Sequence, residues 1–124
     1  MRLYFIETRE FIADIASMQA EAALQRLQQE LLEKPIKGVV IKGCGGIRKV
    51  RMEDASRSKG KRSGVRVIYL HVPEVRCVYF LAVFSKDEKI DLDVRERQLL
   101  SDVAENARAE LIRLKSVRWK RNEK

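Results

Sequence analysis

The sequence predicts an α+β protein: a small twisted antiparallel β-sheet flanked by N-terminal helices and a C-terminal helix. Runs of β-branched and aromatic residues, which are typical of strands, cluster between residues 39 and 84. Residues 10–33 and 93–114 instead repeat their apolar residues at helical spacing. Because strands and helices are segregated along the chain, an antiparallel sheet is favoured over alternating βαβ units.

The N-terminal elements are predicted to be a strand and then helix. Residues 2–6, RLYFI, form the short apolar run of a strand. Between Glu10 and Glu33 leucines recur three and four positions apart, which predicts a helical region. Ser17 is a candidate N-cap for a second helix after a brief break, and Pro35 ends the region.

Four further stretches are predicted strands: VVI (39–41), IRKVRM (47–52), GVRVIYLHV (64–72) and VRCVYFLAVF (75–84). The first two are separated by KGCGG, which lacks the spacing of a phosphate-binding loop and is predicted to be a tight turn. Pro73 and Glu74 predict a hairpin between the last two. The last strand is apolar on both faces, which favours a central position in the sheet.

The C-terminal helix has the clearest signals. Asp93 and Glu96 stand at the spacing of a capping box. The stripe predicted to pack on the sheet consists of Leu100, Val103, Ala104, Ala107, Leu111 and Leu114. At 124 residues the chain is predicted to be a single domain, 1–124, with residues 113–124 a basic tail for which disorder is one expectation.

Positive charge is concentrated in two parts of a chain whose net charge is +8. Residues 48–66 hold eight Lys or Arg against two acids, and residues 113–124 hold six against one. The other 93 residues hold twelve basic and fifteen acidic side chains. Such clustering favours a polyanionic partner, through phosphate contacts and counterion release.

No segment predicts export or membrane insertion. Glu7, Arg9 and Glu10 interrupt the apolar N-terminal run, unlike a secretory signal, and no apolar run approaches the ~20 residues of a membrane span. We therefore expect a cytoplasmic protein with no membrane partner. In that compartment Cys44 and Cys77 are expected to be reduced thiols, with a disulfide between them as the alternative.

The densest positive charge lies in SRSKGKRSGVRVIYL, residues 56–70, where five cations and two glycines stand on a loop or just inside the strand. Arg66, at the start of the strand, has little positional freedom, and its planar guanidinium fits two phosphate oxygens. Lys59 and Lys61 on the loop are able to converge on the same anion. An exposed loop that binds nothing explains these residues equally well.

Conventional catalytic groups are scarce in this sequence. His71 is the only histidine and lies within a predicted strand, and there is no Ser-His-Asp arrangement, Cys-His pair or carboxylate cluster with metal-ligand spacing. Phosphoryl chemistry would therefore rest on lysine and arginine, which stabilise the charge of a pentavalent transition state. A useful nuclease of this kind needs something else to orient the RNA.

Three segments, taken in order, resemble the HigB-like branch of the RelE/ParE toxin superfamily over residues 24–112: LQQELLEKPIKGVVIKGCGGIRKVR, SKGKRSGVRVIYL and FLAVFSKDEKIDLDVRERQLL. The resemblance implies a RelE/ParE-like sheet with flanking helices and the toxin of a type II toxin–antitoxin system. Such an mRNA interferase is a ribosome-dependent endoribonuclease that cleaves translated mRNA by 2′-OH attack. The resemblance implies no cofactor and no metal. The implied partners are the ribosome, mRNA and a cognate antitoxin, expected to be a small helix-turn-helix protein.

The resemblance also implies roles for individual residues. Arg66 contacts the scissile phosphate, Lys59 and Lys61 stabilise charge with one of them as base, and Lys86 serves the leaving oxygen, with Tyr69 as a further catalytic candidate. The remaining cations of the 48–66 cluster are taken as RNA-binding: Arg48, Lys49, Arg51, Arg57 and Arg62. Phe84 stands where related toxins often have a tyrosine, and it supplies no hydroxyl.

Two other functions fit the same features. A ParE-like toxin would share the fold and bind DNA gyrase without cutting RNA. A non-catalytic RNA- or ribosome-binding module would use the same cations for binding alone. Fold does not separate the three, because unrelated activities occur on one scaffold.

Overall fold

The computed structural model describes residues 2–52, 65–85 and 92–122, with residues 115–122 described for their backbone only. The elements are β1 (Tyr4–Glu7), α1 (Arg9–Ser17), α2 (Glu21–Glu33), β2 (Val39–Val40), β3 (Arg48–Met52), β4 (Val65–Val72), β5 (Cys77–Ser85) and α3 (Val94–Asn122). A turn of 3-10 helix at Pro73–Val75 joins β4 to β5 and ends at Arg76 in the left-handed conformation. The predicted α+β class is confirmed.

The described strands form one sheet in the order β1-β5-β4-β3-β2. The pairs β2–β3, β3–β4 and β4–β5 are antiparallel, as predicted. The sheet is mixed, however, because β1 lies parallel to β5. The chain between β1 and β5 includes two helices that cover one face, and a parallel pair requires a long connection of this kind. The middle strand of the five is β4. The strand predicted to be central, β5, lies beside it and is also paired on both sides.

Two apolar layers hold the helices to opposite faces of the sheet. On one face, which we call the helix-pair face, α1 and α2 bury their apolar stripe against Val67, Tyr69 and Phe80. The Phe80 ring stacks on Phe11 of α1, with 5.0 Å between ring centroids. On the other face, the α3 face, the helix covers Ile68 and further residues of β4 and β5. Alternate residues of β4 therefore serve two separate cores.

The helix ends differ in one place from those expected. Ser17 is the last residue of α1 and caps nothing, because the break extends to Ala20, which precedes α2 without a side-chain cap. Thr8 caps α1 instead, accepting a hydrogen bond from Phe11 N–H at 3.0 Å. At α3 the predicted capping box is confirmed: Glu96 N–H donates to Asp93 Oδ1 at 2.8 Å, and Asp93 N–H donates to Glu96 Oε1 at 3.0 Å.

Helix α3 packs on the sheet through part of its predicted stripe. Ala104 is fully buried, and Leu100, Ala107 and Leu111 pack around it. Val103 and Leu114 are instead 47% and 45% exposed. They lie at the border of the stripe, and the helix is rotated so that the smaller Ala104 side chain faces the glycine-rich turn, where a Cβ on Gly45 would come within 3.2 Å of the Ala104 Cβ.

The glycine-rich turn between β2 and β3 is the predicted tight turn. Gly43, Gly45 and Gly46 have φ values of 78°, 71° and 96°, a region that disfavours L side chains. Two α3 arginines hold the turn: Arg97 donates to the Lys42 carbonyl, and Arg108 donates to the Gly45 carbonyl at 3.4 Å.

Both cysteines are buried free thiols in the α3 layer, so the reduced alternative is the one observed. Burial raises the pKa of the Cys77 thiol above its ordinary value, which keeps it protonated. Over residues 2–52, 65–85 and 92–122, no helix combines the length and apolar composition that crossing a membrane requires.

Candidate nucleic-acid interface

Three strands bring Arg51, Arg66 and Phe84 into one row on the α3 face. Arg66 is paired with Arg51 of β3 on one side and with Phe84 of β5 on the other. Residues directly opposite in an antiparallel pair point to the same face, with about 4.5–5.5 Å between their Cβ atoms. The two guanidinium-bearing side chains therefore begin side by side.

A bulge in β5 decides which residue lies beside Arg66. Ile68 pairs with Ala82 but Tyr69 pairs with Phe80, which leaves Leu81 as an extra residue. If the ladder continued without the bulge, Leu81 would pair with Ile68 and Arg66 would lie opposite Val83. Bulges of this kind re-aim side chains and are common next to functional sites.

The paired arginines lack charge compensation within the described residues. Arg51 is exposed and Arg66 half-buried, and the Nη1 atom of Arg66 is buried without a hydrogen-bond partner in residues 2–52, 65–85 and 92–122. Like charges directly opposite each other destabilise a sheet, and an unpaired buried donor adds to that cost. Lys49, also exposed, lies two residues from Arg51 on the same face. A bound anion would offset part of this positive charge and would supply an acceptor for the Arg66 donor.

The strand ends next to this row border two segments of the chain, residues 53–64 and 86–91, which contain the other predicted site residues. Met52, Val65 and Ser85 lie opposite one another, and they immediately precede or follow those segments. The predicted site residues that lie outside the described residues are Lys59, Lys61, Lys86, Arg57 and Arg62. Their assignment therefore stays a prediction.

Arg48 differs from the other predicted RNA-binding residues because it lies on the helix-pair face, opposite Val40 and Tyr69. Its Nη1 donates to the carbonyl oxygens of Gly38 at 2.7 Å and Ile36 at 3.4 Å. These bonds hold the connection from α2 to β2. A structural role accounts for Arg48, and we leave it out of the proposed RNA-binding set.

Tyr69, a further catalytic candidate, is also directed away from Arg66. Its side chain is fully buried on the helix-pair face. The hydroxyl donates to the Pro35 carbonyl at 2.8 Å and accepts from Gly38 N–H at 2.9 Å. Burial raises the pKa of Tyr69 above its ordinary value, against smaller lowering effects of Gly38 N–H and of Arg48. This tyrosine fastens a loop, and we do not retain it among the proposed catalytic residues.

His71 is half-buried on the helix-pair face, and its pKa is lowered below 6.5, first by burial and then by the positive charge of Arg48, against an opposing effect of Glu74. The unfolded chain therefore binds a proton more readily than the folded chain. We expect the free energy of unfolding to be highest above pH 6.5 and to fall as the pH drops below it. Urea denaturation at pH 7.5 and pH 5.5 measures this change, and a His71→Gln variant should show a smaller loss; an equal loss in both proteins would contradict the expectation.

The adjacency of Arg51 and Arg66 was not visible in the sequence, although Arg66 was predicted to contact the scissile phosphate and Arg51 to bind RNA. Residue spacing gives the face of each strand separately, but the pairing of β3 with β4 depends on a connection of twelve residues, 53–64, whose length leaves the register open. The high density of cations was the signal available, and it identifies the region without identifying the pair.

No family model matches the chain. Among solved structures, a double mutant of the E. coli toxin RelE in the free state is similar to it, with 19% sequence identity and a TM-score of 0.49. The match covers 68% of this chain and 83% of that chain.

Proposed function

We propose that this chain is the toxin of a type II toxin–antitoxin system, a HigB-like member of the RelE/ParE superfamily that cleaves translated mRNA on the ribosome. The observation that supports this best is the Arg51–Arg66 pair, two arginines directly opposite each other on one face of the sheet, with the Arg66 Nη1 atom buried and unpartnered among the described residues. An RNA phosphodiester is an anion of suitable size and geometry for such a pair. The ordered sequence resemblance over residues 24–112 supplies the reaction class.

The proposed reaction is attack by a ribose 2′-OH on the adjacent phosphorus, which expels the 5′ oxygen of the next nucleotide and leaves a cyclic phosphate. Arg66 and Arg51 hold the phosphate and stabilise its added negative charge. One of Lys59 and Lys61, as the neutral amine, accepts the 2′-OH proton, and the other contributes further positive charge. Lys86, which directly follows Ser85 in the chain, donates a proton to the leaving 5′ oxygen.

The ribosome is assigned the task of aligning the mRNA for in-line attack. A side chain that only stabilises charge does not by itself place a 2′-OH against its phosphorus. Positioning of the reacting groups lowers the barrier of a typical enzymatic reaction by several kcal/mol, and by about 7–11 kcal/mol in favourable cases. The phenyl ring of Phe84 beside Arg66 supplies no proton, so proton transfer in this proposal rests on lysines. A cognate antitoxin, expected to be a small helix-turn-helix protein, keeps the toxin inactive.

Induction of the protein in a bacterial host followed by mapping of mRNA 5′ ends tests this proposal. We expect cuts within translated messages, phased with the codons, and none in the same messages whose start codon has been removed. DNA damage without mRNA cuts would instead indicate a ParE-like gyrase toxin. Growth inhibition with neither result would indicate an RNA- or ribosome-binding module, and either outcome would overturn the nuclease assignment.

A further inference from the structure

Strand β2 forms an exposed apolar edge of the sheet. It stands last in the strand order of the described residues and pairs only with β3 there. Val39 is 65% exposed, Val40 is 49% exposed, and Ile36, just before the strand, is 51% exposed. An unpaired edge that carries β-branched side chains is a template for another strand.

The backbone of Val40 has the orientation that strand addition requires. Ile41 N–H donates to the Ile47 carbonyl at 2.9 Å, so Ile41 faces β3. Successive residues of an antiparallel strand direct their N–H and C=O groups alternately toward and away from the neighbouring strand. The N–H and C=O of Val40 therefore point outward, away from β3.

The segment that contains this edge carries only positive charge. Residues 34–51 contain six basic side chains and no acidic one: Lys34, Lys37, Lys42, Arg48, Lys49 and Arg51. Lys37 alone of these forms a described ion pair, with Glu30 of α2 at 3.5 Å, and both side chains remain substantially exposed. Two copies of this edge would repel each other, whereas a strand with acidic side chains would be attracted.

We propose that the β2 edge docks an extended acidic segment of a partner protein, which adds a strand to the sheet beside Val40. Main-chain hydrogen bonds would give the affinity, while aliphatic contacts at Val39 and Ile36 and the lysine charges select the segment. Single-stranded RNA fits this edge less well, because RNA-binding surfaces stack bases on aromatic rings and these exposed side chains are aliphatic. The inference does not depend on RNA cleavage.

The probe for this edge is a fluorescein-labelled, capped eight-residue peptide of alternating valine and glutamate, whose binding to the full chain is followed by fluorescence anisotropy. A Val40→Pro variant removes the outward N–H and leaves the β2–β3 hydrogen bonds in place, because proline is tolerated at a sheet edge. We expect Val40→Pro to weaken peptide binding by up to about tenfold, the size expected for losing one main-chain hydrogen bond.

The matched control is Val94→Pro, which also replaces an exposed valine but at the first position of α3, where proline is favoured. It should bind the peptide as the unchanged chain does, and circular dichroism should show both variants folded. Absence of binding by the unchanged chain, equal binding by Val40→Pro, or equal binding of a peptide with glycine in place of valine would overturn the proposal. Two further results would also overturn it. One is that oligouridylate displaces the peptide bound to the Arg66→Ala variant, which would make the edge an RNA site. The other is that the unchanged chain forms a dimer that the Val40→Pro substitution dissociates, which would make the edge an interface between two copies. None of these outcomes alters the mRNA-mapping result, which depends on the α3 face.

Discussion

Cells that express the Arg66→Ala variant are expected to grow normally, with RNA cleavage reduced about 10²–10³-fold, the typical loss when one preorganised donor to a reacting oxyanion is removed. Arg66 lies between Arg51 and Phe84 at the start of β4, and the strand directs its side chain to the α3 face. Colony formation after induction and the count of mapped mRNA 5′ ends measure the effect.

Stability separates a catalytic role of Arg66 from a merely structural one. Because Arg66 stands opposite another arginine, its removal relieves repulsion, and we expect the free energy of unfolding to stay within about 1 kcal/mol of its original value. Arg66→Lys keeps the charge but lacks the planar fork, and it should recover only part of the activity. The control is Arg26→Ala, an exposed arginine on α2, which should remain fully toxic. Undiminished toxicity of Arg66→Ala would remove this arginine from the mechanism.

The substitution Gly38→Ala is expected to destabilise the fold by about 2–4 kcal/mol, a sum of overpacking and of weakened buried hydrogen bonds. A Cβ at this position would lie 2.8 Å from the Lys49 carbonyl oxygen and 2.9 Å from Cε1 of Tyr69. Both neighbours are immobile, since one is backbone and the other is a buried ring whose hydroxyl binds Gly38 N–H at 2.9 Å. Urea denaturation monitored by far-UV circular dichroism measures the loss in the free energy of unfolding.

Gly43→Ala provides a comparison, because Gly43 is constrained by its backbone conformation and Gly38 by close neighbours. Gly43 has a φ of 78°, but a Cβ there would meet only the Arg97 side chain, at 3.5 Å or more. Its expected cost is the conformational term alone, about 1–2 kcal/mol. A loss for Gly38→Ala no larger than that of Gly43→Ala would show that the connection from α2 to β2 is able to shift, and would contradict the packing argument.

The elements of the fold with strong local signals were predictable from the sequence. The capping box of Asp93 and Glu96 and the glycines of the 42–46 turn depend on contacts a few residues apart, which spacing reveals. The parallel partner of β1 was not predictable in this way. It pairs with β5, more than seventy positions later in the chain, and neither strand carries a local mark of the other.

The candidate site was predictable as a region and less so as a geometry. Alternation along β4 correctly separated Arg66 from Tyr69, because residues an odd number apart on a regular strand face opposite sides. The position of Arg48 was not foreseen, since a cation in a basic cluster looks the same whether it binds phosphate or backbone carbonyls. Only the path of residues 35–38 beside β3 distinguishes these roles.

The extra residue in β5 ties the chemistry of the α3 face to the packing of the opposite one. If β5 kept all its residues but continued past Phe80 without the bulge, Leu81 would pair with Ile68 and every side chain from Ala82 to Ser85 would exchange sides: Val83 would leave the layer beneath α1 and α2, and Phe84 would enter it. A smaller aliphatic group would then neighbour Arg66 while a ring crowded the interior. The bulge therefore fixes which of residues 83 and 84 neighbours Arg66, and a change that straightened the strand without removing a residue would require rebuilding both layers at once.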